Sequence, residues 1–231
     1  MNRQFNDNEL NLANPRTSPL WLRVAFWMSI AIALAVAARR ILALAFPPHG
    51  GTPQIAALDA VFASHRALTL GHILPAVLFV LVCPFVVFSF GEVTSWANRA
   101  IFPLGAVVGL SAYAMSAYSV GGWVERSAVL MFNTLYLYSL LRAYGHFRHG
   151  DSHFERRWLL RAVAILLGIA TTRPVMGVFF ATSPLTHLGP SQFFGIAFWI
   201  GFSANALAVE LWLRARDREF QTERMATRSE S

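Results

Sequence analysis

The feature that most constrains the fold is an apolar run over residues 68–90 that contains no Asp, Glu, Lys or Arg. About 20 apolar residues in a helix cross the ~30 Å hydrocarbon core of a bilayer. Similar runs recur along the chain, and only 13% of its residues are charged, against about 25% in soluble domains. We therefore predict an all-α polytopic membrane protein.

Six apolar segments predict a bundle of six transmembrane helices. Their expected bounds are about 21–46, 68–90, 101–120, 126–142, 158–181 and 193–213. Between the first two, apolar residues recur with helical spacing over 55–62, which predicts a short amphipathic connector helix. The polar residues 1–20 predict a disordered cytoplasmic tail. Residues 214–231 predict a charged cytoplasmic tail that frays from helix into disorder.

The distribution of arginines predicts the orientation of the helices. All 19 basic residues are Arg. If both termini are cytoplasmic, fourteen of them fall on the cytoplasmic side and five on the other. Cytoplasmic loops carry such an excess of basic residues, so we expect both termini in the cytoplasm. Because orientation accounts for the net charge of +7, no nucleic-acid partner is predicted.

The start of the fifth span carries a basic orientation anchor, formed by Arg156, Arg157, Trp158 and Arg161. Arginine and tryptophan at such a position are typical of the inner membrane interface. Arg173 is different because it lies well inside the same span, where a charge costs ~2.5–3.5 kcal/mol on insertion scales. A specific buried partner is therefore expected for it. The candidates are His72, Tyr113 or Tyr118, Asn133, and the C-terminal carbonyl groups of the first span.

Arginines and histidines in the outer half of the bundle predict a ligand pocket. We assign to it His72, Arg173, Arg40, Arg66 and His65. Guanidinium groups bind anions and oxygen acceptors, so the predicted ligand is a lipid, a quinone or a small anionic molecule. In the alternative, each arginine reaches the interface separately or binds carbonyl groups freed by Pro75 and Pro174. His65 and His72 share a face if one helix continues through both.

A second hypothesis is a cytochrome b-like redox protein in which His72 binds haem b. Such proteins need pairs of histidines at matching depth, and His65 or His187 would have to supply the second ligand. Histidines also recur between 146 and 153 beside Asp151, but without the spacing of a known zinc motif, so no metal site is predicted. The sequence has no P-loop and no HExxH motif, which favours a protein that is not an enzyme.

Gly105 and Gly109 form a GxxxG step in the third span. Small residues at this spacing let helices approach closely. The step predicts tight packing within the bundle, or contact with a second copy or another membrane protein. A third hypothesis is therefore a non-catalytic scaffold for a membrane complex. In the last span, Glu210 and Arg214 have the i, i+4 spacing of an ion pair, and Asn205 is expected to hydrogen-bond between helices.

Several spaced residues carry a resemblance to a known family. They are His72, Pro84, Arg99, the stretch Arg156, Arg157, Trp158 and Arg161, and Arg173. In this pattern the chain resembles the bacterial membrane proteins of the domain-of-unknown-function family DUF2306. Asn98 and Glu155 stand where that family has histidines, so if those histidines carry a cofactor or proton chemistry, this chain has lost it. The resemblance implies a multi-pass protein of the bacterial inner membrane and no particular activity.

Overall fold

The computed structural model describes residues 19–46, 53–88 and 93–229, and nearly all of them are helical. These ranges contain seven helices: α1 (Leu20–Ala45), α2 (Pro53–Ser64), α3 (Arg66–Phe88), α4 (Val93–Ser116), α5 (Gly122–Arg148), α6 (Ser152–Thr186) and α7 (Pro190–Ser229). The predicted all-α class is confirmed. The predicted tail at 1–20 falls mostly outside the described residues, as do positions 89 and 90 of the second predicted span.

Five helices are long and apolar enough to cross a membrane, as expected of a multi-pass membrane protein. They are Leu20–Ala45, Arg66–Phe88, Trp96–Ser116, Ser152–Thr186 and Pro190–Arg218. Helix α5, the fourth predicted span, is not among them. It carries polar and charged residues, including Glu125, Arg126, Asn133 and Arg142. Its 27 residues nevertheless extend over about 40 Å, so length does not separate it from the others.

The helices do not coincide with the apolar segments from which they were predicted. α4 begins at Val93 rather than near 101, so most of the predicted loop before the third span is helical. It ends at Ser116 because residues 117–121 form the turn into α5. α5 in turn runs past both arginines that were taken as its limits.

The charged tail predicted from residue 214 is not frayed up to Ser229. α7 is one continuous helix of 40 residues. On its extension, Asp217 forms an ion pair with Arg157 near the start of α6. This pair joins α7 to α6 beyond the apolar segment. A contact between helices therefore stabilises the polar extension of α7.

A short helix, α2, occupies the region where an amphipathic connector was predicted, but it does not continue into α3. The chain turns at His65, so the condition for His65 and His72 to share a face, one continuous helix through both, is not met. Thr69 closes the junction, because its hydroxyl donates to the carbonyl oxygen of Phe62 at 3.1 Å. Its backbone N–H donates to the carbonyl oxygen of His65 at 2.9 Å.

The bundle is built around two helix pairs. α6 packs along α7, and α3 packs along α4, while α5 joins the pairs through its contacts with α4, α6 and α7. Phe79 and Cys83 of α3 and Phe193 of α7 are fully buried in the core. α1 lies at the edge, against α3 and α6, and only Ile30 and Leu44 of its residues are buried.

Gly105 and Gly109 are buried where α4 meets α5. A Cβ atom at Gly105 would lie 2.7 Å from side-chain atoms of both Leu140 and Tyr136. The Asn133 amide donates to the carbonyl oxygen of Gly109 at 2.9 Å, and the Tyr136 hydroxyl donates to that of Gly105 at 3.1 Å. The GxxxG face is therefore covered by α5 of the same chain, and another protein would have to displace α5 to reach it.

We name the ends of the bundle by their distance from the start of α1. The proximal end holds the starts of α1 and α6 and the ends of α3 and α7. The distal end holds the end of α1, helix α2, and the starts of α3, α5 and α7. Contacts fix this arrangement: Trp27 stacks on Phe88 at the proximal end, with ring centroids 5.8 Å apart, and Arg40 pairs with Asp59 at the distal end.

Candidate functional site at the distal end

Two arginines at the end of α1 share one carboxylate on α2. Asp59 accepts a hydrogen bond from Arg39 at 3.2 Å and another from Arg40 at 2.5 Å. Its side chain is only 12% exposed, so this acid of α2 faces the bundle rather than water. The Arg40 guanidinium also lies over the Phe62 ring, 3.9 Å from the centroid, an arrangement that stabilises a cation.

Arg173 of α6 is the deep member of the same region. Arg40, Glu125 and Arg39 are the charged groups that act on it electrostatically. Among the described residues, its Nη1 donates a hydrogen bond to the sulfur of Met176 alone, at 3.6 Å, and its buried Nε has no partner. Within the described ranges, Arg173 forms no ion pair with a carboxylate. A guanidinium has five N–H donors, so most of its hydrogen-bonding capacity is unused.

Glu125, in the first turn of α5, is the carboxylate that influences Arg173. It is 9% exposed, and its Oε2 accepts a hydrogen bond from the Gly121 N–H at 2.6 Å. A Cβ atom at Gly195 of α7 would lie 2.6 Å from the Glu125 backbone nitrogen, so the starts of α5 and α7 meet closely here. One oxygen of Glu125 is therefore already engaged by the backbone.

We call Arg39, Arg40, Asp59, Glu125 and Arg173 the distal cluster. Its three arginines face two carboxylates, so one positive charge is formally uncompensated. Charges interact strongly where protein and lipid exclude water, and an unpaired charge there is costly. The cluster can therefore accept an anion or an oxygen acceptor from outside the chain.

Among the described residues, Arg173 forms no hydrogen bond with the side chains predicted as its partners. His72 instead bonds the Ser111 hydroxyl at 2.8 Å, and Asn133 bonds a backbone carbonyl group of α4. Tyr113 bonds the hydroxyl of Thr134, and Tyr118 stacks against His65.

Of the predicted pocket residues, the structure brings together only Arg40 and Arg173. His72 and His65 contact residues of α4 or of the turn after it. Arg66 is exposed at the same end.

Asp59 and Glu125 were missed by the sequence analysis. Asp59 lies in the predicted amphipathic connector helix, where an acidic residue is expected on the polar, solvent-facing side. Glu125 carried one usable signal, because an acid in the first turn of a helix interacts favourably with the helix dipole. Nothing in the local pattern indicates that either acid points toward Arg39, Arg40 or Arg173, since the helices concerned are far apart in sequence.

At the proximal end, the predicted anchor residues bind other helices. Arg157 pairs with Asp217, and Arg161 pairs with Glu210 at 3.0 Å. The predicted ion pair between Glu210 and Arg214 is confirmed at 3.0 Å. Trp158 packs against the Arg161 guanidinium, 4.7 Å from the ring centroid. Arg156 donates to a backbone carbonyl group at the end of α3, at 2.6 Å.

The histidines are not arranged as the ligands of a metal ion in the described part of the chain. Across the described ranges, no group of three or more His, Cys, Asp or Glu is arranged to hold a metal ion. His146 lies 3.4 Å from Asp151, and His149 bonds the Gly145 carbonyl oxygen at 2.7 Å. One ring nitrogen of His72 forms a hydrogen bond with the Ser111 hydroxyl, and the His65 ring packs against Tyr118. The haem hypothesis therefore gains no support from this geometry.

Neither a family model, nor a curated protein, nor a solved structure matches the chain. The distal cluster is therefore interpreted from its own residues and contacts.

Proposed function

We propose that the chain is a multi-pass protein of the bacterial inner membrane with six spans and both termini in the cytoplasm. The span that we add to the five apolar helices is α5, the fourth in chain order. Its contacts with α4 run along its length. Phe102 packs on Tyr144 at 5.2 Å near the proximal end, and Tyr113 bonds Thr134 at 2.7 Å toward the distal end. Because α5 lies beside helices that are apolar enough to cross, it has to cover the same depth.

The topology is tested by reporter fusions to the full chain. A reporter after Ser231 is expected in the cytoplasm, and one inserted at His187 is expected on the outer side. A five-span protein with a cytoplasmic N-terminus would reverse both positions, with Ser231 outside and His187 inside. That result, together with a reporter before Met1 that stays in the cytoplasm, would reject α5 as a span.

We further propose that the distal cluster binds a lipid, a quinone or a small anionic ligand through its arginines. The observation that carries this proposal is the Arg173 guanidinium, buried at Nε and paired with no carboxylate among the described residues. Such residues inside a membrane bundle usually mark a ligand or ion pathway. A carboxylate, a phosphate or a quinone carbonyl oxygen would supply the missing acceptor, and arginine binds the first two in bidentate fashion.

Thermal unfolding of the purified protein tests this binding. The probes are inorganic phosphate, acetate, phosphatidylglycerol and decylubiquinone, so that headgroup, small-anion and quinone binding are separated. A ligand present at 100 times its Kd stabilises a protein by about 2.7 kcal/mol, which raises Tm by several degrees. We expect this increase for the wild type with at least one probe and its loss in Arg173→Gln.

Arg66→Gln is the matched control, because it removes an exposed arginine at the same end and should leave the stabilisation unchanged. If no probe stabilises the wild type, or if the two variants lose stabilisation equally, the cluster is not the binding site. The resemblance to the DUF2306 family stays a prediction and adds no activity to this proposal.

A further inference from the structure

A separate apolar cleft opens at the proximal end, away from the distal cluster. α1, α3, α6 and α7 form its walls, and its volume is about 180 Å³. Its apolar walls include Leu22, Phe26, Phe88, Leu160, Val163 and Leu167. Apolar cavities of about 150 Å³ stay dry and take up small apolar molecules. The cleft is therefore suited to a segment of one hydrocarbon chain.

The polar side chains that line the cleft, Ser29 and Asn205, already have partners within the protein. The Ser29 hydroxyl donates to the carbonyl oxygen of Ala25 at 2.8 Å. The Asn205 amide donates to the carbonyl oxygen of Ala164 at 3.0 Å, and its oxygen accepts from the Thr171 hydroxyl at 2.7 Å. Because burying an unpaired polar group is costly, this satisfied lining favours an apolar occupant over a polar one.

The mouth of the cleft is cationic and aromatic. Arg23 is the one charged side chain among the described lining residues. It is exposed, while the nearby acids of α7, Glu210 and Asp217, are paired with arginines of α6. Trp21 and Trp212 flank the cleft, and tryptophans favour the headgroup level of a membrane. The mouth thus combines an exposed cation with two aromatic rings.

The cleft is accessible from the side because α1 covers it loosely. Most residues of α1 are not buried, and near the cleft Phe26 and Trp27 of this helix pack against Phe88. A lipid could therefore enter laterally. The lining residues of α1 span 21–29, which corresponds to about 12 Å along a helix. That is less than half of the ~30 Å core, so the cleft reaches one leaflet only.

We propose that this cleft binds one anionic phospholipid of the leaflet at the proximal end. An acyl chain lies along the apolar walls, and the phosphate contacts the Arg23 guanidinium between Trp21 and Trp212. The charge of Arg23 selects the anionic headgroup, whereas the walls hold the chain without regard to the headgroup. This site does not depend on ligand binding at the distal cluster.

Native mass spectrometry of the full chain in mild detergent tests the headgroup. The probes are phosphatidylglycerol and phosphatidylcholine with identical acyl chains. The wild type is expected to retain one phosphatidylglycerol in preference to phosphatidylcholine. Arg23→Gln should reduce this preference about fivefold, the effect of one basic residue at an anionic surface, and Arg23→Lys should retain most of it.

Two further variants make the test specific. Arg99→Gln removes an exposed arginine of α4 at the same end but outside the cleft, and it should leave the preference unchanged. Ala208→Phe places a ring in the cleft at an exposed lining position, and it should reduce retention of both lipids. The proposal is overturned if Arg99→Gln acts like Arg23→Gln, or if Ala208→Phe retains lipid as well as the wild type.

Discussion

Asp59 and Glu210 each accept hydrogen bonds from two arginines, but at opposite ends of the bundle. Glu210, at the proximal end, has a side chain that is 34% exposed. Asp59, at the distal end, is 12% exposed. Arg173 is a third arginine of the same distal cluster. The same local motif is therefore partly hydrated at one end. At the distal end the motif is embedded in the bundle, and the distal cluster has three arginines for two carboxylates.

The comparison separates two uses of arginine in one membrane protein. Arginines near the start of α6, such as Arg157 and Arg161, pair with acids of α7 and hold the two helices together. At the distal end, the three arginines of the distal cluster share two acids, Asp59 and Glu125. The proximal pairs thus join two helices, whereas the distal arginines are the basis of the ligand-binding proposal.

The largest expected effect is that of Asp59→Asn. Removing this nearly buried acid leaves Arg39 and Arg40 without a carboxylate partner, and breaking a buried pair from one side costs about 3 kcal/mol. We expect the free energy of unfolding to fall by this order, measured by tryptophan fluorescence during denaturation in detergent. Arg39→Gln is the control, because Arg39 is 52% exposed and Arg40 keeps Asp59 paired; its effect should stay under about 0.5 kcal/mol.

Arg173→Met should act in the opposite direction in the absence of ligand. It removes a buried cation without an ion-pair partner while keeping a long apolar side chain, and Glu125 retains its hydrogen bond from Gly121. Replacing buried charge by apolar groups stabilises by about 1–3 kcal/mol in favourable cases. An increase in Tm is therefore expected. A decrease would mean that Arg173 and Glu125 form a structural pair, which would remove the reason to seek a ligand.

Glu210→Gln should have the smallest of the three effects. It leaves Arg161 and Arg214 without a carboxylate, but all three groups are partly hydrated, so we expect a loss of about 1 kcal/mol. The loss should shrink further at high salt, because exposed ion pairs are screened. An effect as large as that of Asp59→Asn would contradict the distinction between the two ends.

Predictions from the sequence were most successful where one helix suffices to decide the outcome. The apolar run at 68–90 predicted α3 within two residues of its described bounds, Arg66–Phe88. The i, i+4 spacing predicted the pair of Glu210 and Arg214. Arg173 was singled out by its depth alone. These features depend on helical periodicity and on the thickness of a bilayer, and both can be applied to a single segment.

Predictions about partners across helices were less successful. His72 was expected near Arg173 because both lie toward the same end, yet it faces Ser111 of α4. Depth along a helix can be counted from the sequence, but the direction in which a side chain points depends on how each helix is rotated in the bundle. That rotation is decided by packing, such as the approach of α4 to α5 at Gly105.

The sequence by itself determined that this chain is helical, that it carries apolar helices long enough to cross a membrane, and that Arg173 lies within one of them. Hydrophobicity and charge are properties of each segment, so these conclusions need no knowledge of neighbours. Only the tertiary structure decided which acids meet the arginines. Asp59 and Glu125 are 66 residues apart, and the packing of α1, α2, α5 and α6 brings them to one cluster where the charges do not balance.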